Sequence, residues 1–182
     1  MFADASIKET VSIGDVTVEL GTSHSELIPV CYEMEGFQTQ DVLAILRWMM
    51  QKYSLHQDVF LIGHPGAFRR RLAFWFCEVI QKEAEYLAIT SETTESDLKQ
   101  RSEVINGTLS YVDQGPVRCA IEGRVLIIEG IEKAERNVLP TLNNLLENRE
   151  MALADGRFLM SAEKYGYLLL PLTAVFLFSF HI

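Results

Sequence analysis

Val125-Leu126-Ile127-Ile128 is an uninterrupted run of branched apolar side chains that ends on a carboxylate, Glu129. A strand with one wet face alternates apolar and polar residues; this run does not, so both of its faces need cover, as in a parallel sheet lying between two helical layers. Val59-Phe60-Leu61-Ile62 is a second run of the same kind, and Tyr86-Leu87-Ala88-Ile89 is a third strand candidate. Helical periodicity fills the chain around them. Val42, Leu43, Ile45, Leu46, Met49 and Met50 line one face of a helix predicted over 40–53, and residues 70–83 are apolar nearly all round, as in a helix wedged deep in a core. Strands alternating with helices predict an α/β fold, a three-layer α/β/α parallel sheet.

The remaining segments are punctuated more weakly. Residues 11–20 alternate and read as a strand or hairpin arm, 90–106 as part helix and part loop, and 116–122 as a short helix. Residues 138–148 are amphipathic, with Leu142, Leu145 and Leu146 facing inward and Pro140 tolerated only in the first turn. Asp155-Gly156 between apolar arms is a hairpin signal. At 182 residues one core is expected. Acidic residues outnumber basic ones by 25 to 16, a net charge of −9, which argues against nucleic acid and against an anionic membrane surface as partners. Cys31, Cys77 and Cys119 form no CxxC pair, and the four histidines lack metal-ligand spacing.

The chemistry lies where the second apolar run ends. Gly63-His64-Pro65-Gly66-Ala67-Phe68-Arg69-Arg70 follows a buried strand and opens a helix, the layout that sets backbone N–H groups and a helix N-terminus around a phosphate. The nucleotide-binding form of such a turn is GxxxxGK[ST]. Gly63 and Gly66 frame a turn of that kind, but Phe68 stands for the second glycine, Arg69 for the lysine and Arg70 for the hydroxyl residue that ligates magnesium. Phe68 resists positive φ, Arg69 presents a planar fork in place of a compact ammonium, and Arg70 cannot ligate a cation. Arg69, Arg70 and Arg71 at a helix N-terminus oppose the helix dipole, so a bound anion or neighbouring acids must answer them. In P-loop enzymes the carboxylate ending the third strand holds Mg²⁺, a role that falls here to Glu129. The next residue, where a glutamate would activate water, is Gly130, so no catalytic residue is assigned.

Residues 117–151 followed by Leu153-Ala-Asp-Gly156, and Thr93-Thr-Glu-Ser-Asp-Leu98, resemble the dynein-related (midasin and MoxR-like) AAA+ ATPases. In that group an "EG" leads into the magnesium-binding strand, an amphipathic helix follows, and a hairpin turns on "DG". Arg47-Trp-Met-Met-Gln-Lys52, Asp58-Val-Phe-Leu-Ile-Gly63 and Leu142–Met151 place the likeness nearest to large mitochondrial members with several ATPase modules and a C-terminal von Willebrand A domain. The resemblance implies a P-loop AAA+ fold, ATP and Mg²⁺ as cofactors, and other AAA+ modules as ring partners. It implies nucleotide contacts at Gly63, His64, Pro65, Gly66, Ala67, Phe68, Arg69 and Arg70, and a metal ligand at Glu129.

The altered loop and Gly130 lead to the expectation of an ATP-binding module with weak or absent hydrolysis. The alternatives are a non-catalytic assembly module or a non-functional truncated isoform. Three regions are expected: a β-rich lead-in over 1–38, an AAA+ core over 39–165 incomplete at its C-terminal side, and an unrelated apolar tail over 166–182. Tyr167 to Phe180 is uncharged but shorter than the ~17–25 residues of a membrane-spanning helix, and Pro171 interrupts it, so a membrane is not the expected partner. The resemblance points to mitochondria, whereas residues 1–10 lack the Arg-rich, acid-poor character of a presequence, which keeps the cytosol as the alternative.

Overall fold

The computed structural model of the chain describes residues 9–21, 26–31, 39–64, 66–161 and 174–180. Its centre is a four-stranded parallel sheet of β3 (Val59–Gly63), β10 (Ala174–Phe180), β7 (Val125–Glu129) and β4 (Ala84–Ala88), in that spatial order. All four runs point the same way, so each connection must cross over a face of the sheet, and helices make the crossings.

Two cores result, one per face. Alternate side chains of β7 divide between them: Val125 and Ile127 pack with α1 (Gln40–Ser54) and α2 (Phe68–Val79), whereas Leu126 and Ile128 pack with α4 (Gly115–Glu122) and α5 (Leu139–Asn143). The four apolar side chains of β7 are fully buried, as an unbroken apolar run requires. On the first face Leu46, Met49, Met50, Leu72 and Phe76 fill the layer, and the Tyr53 ring meets the Phe76 ring edge-on at 5.9 Å. Thr39 caps α1, its hydroxyl accepting the Val42 N–H at 3.4 Å. The small hairpin of β1 (Thr10–Ile13) and β2 (Val16–Glu19) lies against this face through Val18.

On the second face α5 begins with Pro140 in its first turn, as its missing N–H permits, and runs into a π-helical turn over Asn144–Asn148. The hairpin of β8 (Glu150–Ala152) and β9 (Phe158–Met160) then turns around Asp155-Gly156, as expected.

Three expectations are corrected. The run 59–62 forms β3, but Phe60 and Ile62 are exposed, so this strand at the end of the sheet order is covered on one face and not on both. Residues 90–106 contain only the one-turn helix α3 (Glu95–Leu98); the remainder belongs to a hairpin of β5 (Gln100–Ile105) and β6 (Thr108–Asp113). Its turn is Asn106-Gly107, both at positive φ, the type of two-residue turn that suits the twist of paired strands. The apolar tail is not wholly separate from the sheet. Residues 174–180 lie between β3 and β7, Phe178 in register with both Leu61 and Glu129, so they occupy an interior position of the sheet that the sequence reading left unfilled. The expectations for 1–8, 32–38 and 162–173 fall outside the described residues. No described helix is long and apolar enough to cross a membrane.

Candidate functional site

The parallel arrangement brings the C-terminal ends of β3, β7 and β4 to one edge of the sheet, the place where open α/β sheets bind their ligands. Gly63 ends β3, Glu129 ends β7, and Ala88 lies opposite Glu129 on β4. The loop from Gly63 into α2 crosses this edge. His64, Gly66 and Ala67 are exposed and Pro65 lies outside the described residues. Gly66 sits at φ +152°, a backbone that favours glycine, with nothing within 4 Å of where a Cβ would be.

Ala67 is the N-cap of α2 and Phe68 its first residue, with the Phe68 ring exposed. The N-cap residue gives this helix no side-chain cap and its first turn carries no acid, so the turn's N–H groups face the loop. Phe68 itself keeps an ordinary helical backbone, and the positive φ of the loop falls on Gly66.

Of the arginines that follow, Arg69 is 8% exposed and folds back beneath the loop, its Nη1 donating to the Gly63 carbonyl at 2.9 Å. Arg70 projects from the same turn to β7 and β4. Its Nη1 donates to Glu129 Oε2 at 3.4 Å and to the Tyr86 hydroxyl at 3.3 Å, and its guanidinium lies 5.8 Å from the Tyr86 ring centroid. The Tyr86 hydroxyl donates in turn to the same Glu129 oxygen. Burial, then the hydrogen bond to Glu129, holds the Tyr86 phenol above its ordinary pKa, so it remains a donor across the neutral range. For Arg70 the acid that the cluster called for is Glu129, with the Tyr86 hydroxyl bonded to both.

From the sequence Tyr86 is expected only as part of a strand. Its signal is weak but present: a phenol at the head of the predicted run Tyr86–Ile89, in register with Ile127 and therefore on the same face as Glu129.

The residues treat the two implied cofactors differently. An uncapped helix N-terminus with two guanidinium groups beside it fits an anionic phosphate chain. The cation position does not fit magnesium. Glu129 already accepts from Arg70 and Tyr86, and residue 70 offers a positive charge in place of a ligating hydroxyl. Gly130 has φ +82°, and a Cβ there would come within 2.8 Å of the Ile89 carbonyl oxygen. The backbone at this point, clasped by the Ile89 N–H to the Glu129 carbonyl at 2.8 Å, has no room for the side chain of a general base.

The sheet order, the phosphate-type loop and the carboxylate-ended central strand define a P-loop α/β module. The AAA domain of the dynein-related subfamily matches residues 58–180, and the chain belongs to that family. Membership implies nucleotide binding. Over 162 residues the chain is 58% identical to von Willebrand factor A domain-containing protein 8 of Mus musculus, which spans 88% of this chain and only 8% of that protein.

Among solved structures, a protein from Cytophaga hutchinsonii described as an ATPase superposes with a TM-score of 0.57 at 11% identity, covering 76% of this chain and 38% of that one. NtrX from Brucella abortus gives 0.54 at 12% identity, covering 79% and 31%. At such identities these two structures speak for the fold alone.

Proposed function

We propose that the chain is an ATP-binding module of the dynein-related AAA type that does not hydrolyse ATP by itself and acts through the assembly it joins. The observation that carries this reading is Gly130. The site keeps the elements that suit a phosphate anion, the Gly63–Ala67 loop, the open N-terminus of α2 and the Arg69 guanidinium. At the position after Glu129, where water would be activated, the backbone leaves no space for a side chain. Binding without turnover turns the nucleotide into a structural ligand, and ring partners of AAA+ type are the assembly proposed. A mitochondrial location is proposed on the likeness to the mouse protein's family.

Thermal unfolding at increasing ATP tests the reading. A ligand that binds only the folded state raises stability as RT ln(1 + [L]/Kd), so the Tm should climb with ATP, and Arg69→Ala should shrink the climb relative to its own nucleotide-free Tm. Phosphate release should stay at background. A Tm unchanged at millimolar ATP would remove the binding claim, and turnover above background would remove the other half.

A further inference from the structure

We propose that Arg70 is a built-in counter-cation: its guanidinium takes the place a divalent cation would take beside Glu129, and the module binds its nucleotide metal-free, as the bare polyphosphate anion. This inference rests on the nucleotide-binding reading above and adds to it the ionic form of the ligand.

The geometry is that of a filled cation position. Glu129 is largely enclosed, its side chain 15% exposed, while that of Arg70 is 43% exposed, so the pair joins an enclosed carboxylate to a guanidinium that reaches solvent. Glu129 Oε2 receives two donors, Arg70 Nη1 at 3.4 Å and the Tyr86 hydroxyl. A cation approaching that oxygen would have to displace a phenol and lie against a fixed positive charge, and like charges at such range repel strongly away from bulk water. The guanidinium is also held in place by its contact with the Tyr86 ring, itself packed against Phe74 at 5.9 Å between ring centroids. Glu129 gains no second carboxylate from its neighbour, because Gly130 follows it. Among the described residues no group of three or more His, Cys, Asp or Glu side chains is placed to hold a metal ion.

The same arginine is suited to the anion. It belongs to the first turn of α2, whose N–H groups face the loop, so its position is fixed relative to any phosphate seated there. Nη1 serves Glu129 and Tyr86, and the exposed part of the guanidinium remains for a phosphate oxygen, to which a planar fork donates well. A guanidinium bridging a carboxylate and a phosphate supplies one positive charge where a divalent ion supplies two. Arg69, beneath the same loop, supplies another.

A fluorescent ATP analogue titrated into the full chain, once in EDTA and once in millimolar Mg²⁺, tests this. The Kd in EDTA should be equal to or tighter than that in Mg²⁺, within about threefold. Arg70→Ser removes the counter-cation and restores a hydroxyl at the ligating position. Its affinity in EDTA should fall about tenfold or more, and Mg²⁺ should recover it. Wild-type binding that needs Mg²⁺ overturns the inference and leaves the nucleotide reading standing. Absence of binding in both conditions overturns both. The wild-type comparison carries the test even where the variant fails to fold.

Discussion

The carbonyl oxygen of Ile89 lies 2.8 Å from where a Cβ on Gly130 would be, at the point where β4 and β7 leave the sheet side by side. This one contact joins the fold to the chemistry. The strands are clasped there by the Ile89 N–H to the Glu129 carbonyl, and the clasp leaves no room for the side chain that would activate water.

Gly130→Glu therefore should not restore hydrolysis. Residue 130 would need a left-handed backbone and a shift of β4, so the variant should lose about 1–3 kcal/mol of stability. Phosphate release and urea unfolding, measured on the same sample, check both halves. A stable, hydrolysing variant would show that the glycine is a simple absence and not a steric requirement.

The interior position of β7 makes a symmetrical prediction. Ile127 and Ile128 are both fully buried, one in each core. Ile127→Ala and Ile128→Ala should each cost about 2–5 kcal/mol in denaturant unfolding. A strand covered on one face only would show one large loss and one small one.

The β5–β6 and β8–β9 hairpins are tied by a polar clasp that acid should release. Gln100 Nε2 donates to Asp155 at 2.8 Å, and the Arg157 Nε donates to the same carboxylate at 2.7 Å. Arg157 Nη2 reaches Asp113 at 2.6 and 2.9 Å. The Gln100 hydrogen bond first, and then the Arg157 N–H, draw the Asp155 pKa down from 3.8 to about 2. A folded-state pKa below the unfolded one stabilises above the unfolded value, and this contribution is lost as pH falls from about 4 to about 2. The stability gap between wild type and Asp155→Asn should thus be constant at neutral pH and close across that acid window. A gap that does not change with pH would contradict the clasp.

Thiol reactivity should separate the cysteines. Burial pushes Cys77 well above the ordinary thiol range and Cys119 up to about 12, and both side chains are fully buried. Cys31 is only partly enclosed, its pKa raised less by burial and by the charge of Glu78. Alkylation of the native chain at mildly alkaline pH should label Cys31 first and reach Cys77 and Cys119 only on unfolding. Mass spectrometry of the labelled peptides reads the order directly.

Much of the α/β frame was legible in the sequence because its signals are local. Unbroken apolar runs at 59–62 and 125–128, the periodicity of 40–53 and the Asp155-Gly156 turn each report on a few neighbouring residues, and each marks its element, although only 125–128 is buried on both faces while Phe60 and Ile62 of β3 stay exposed. The hairpin over 100–113 was missed although Asn106-Gly107 marks its turn, because its arms are rich in polar residues and do not bury one clean face. The candidate site was legible as an inventory, from Gly63 to Arg70 together with Glu129.

By itself the sequence determined the layering of helices on a parallel sheet, the phosphate-type loop, the carboxylate at the end of β7 and the glycine after it. These follow from side-chain type and short-range spacing. Only the tertiary structure decided that residues 174–180 lie between β3 and β7, and that Arg70 turns to Glu129 with Tyr86 beside it. Strand order and pairs distant in sequence depend on which surfaces meet when the layers close, a condition that no local pattern encodes.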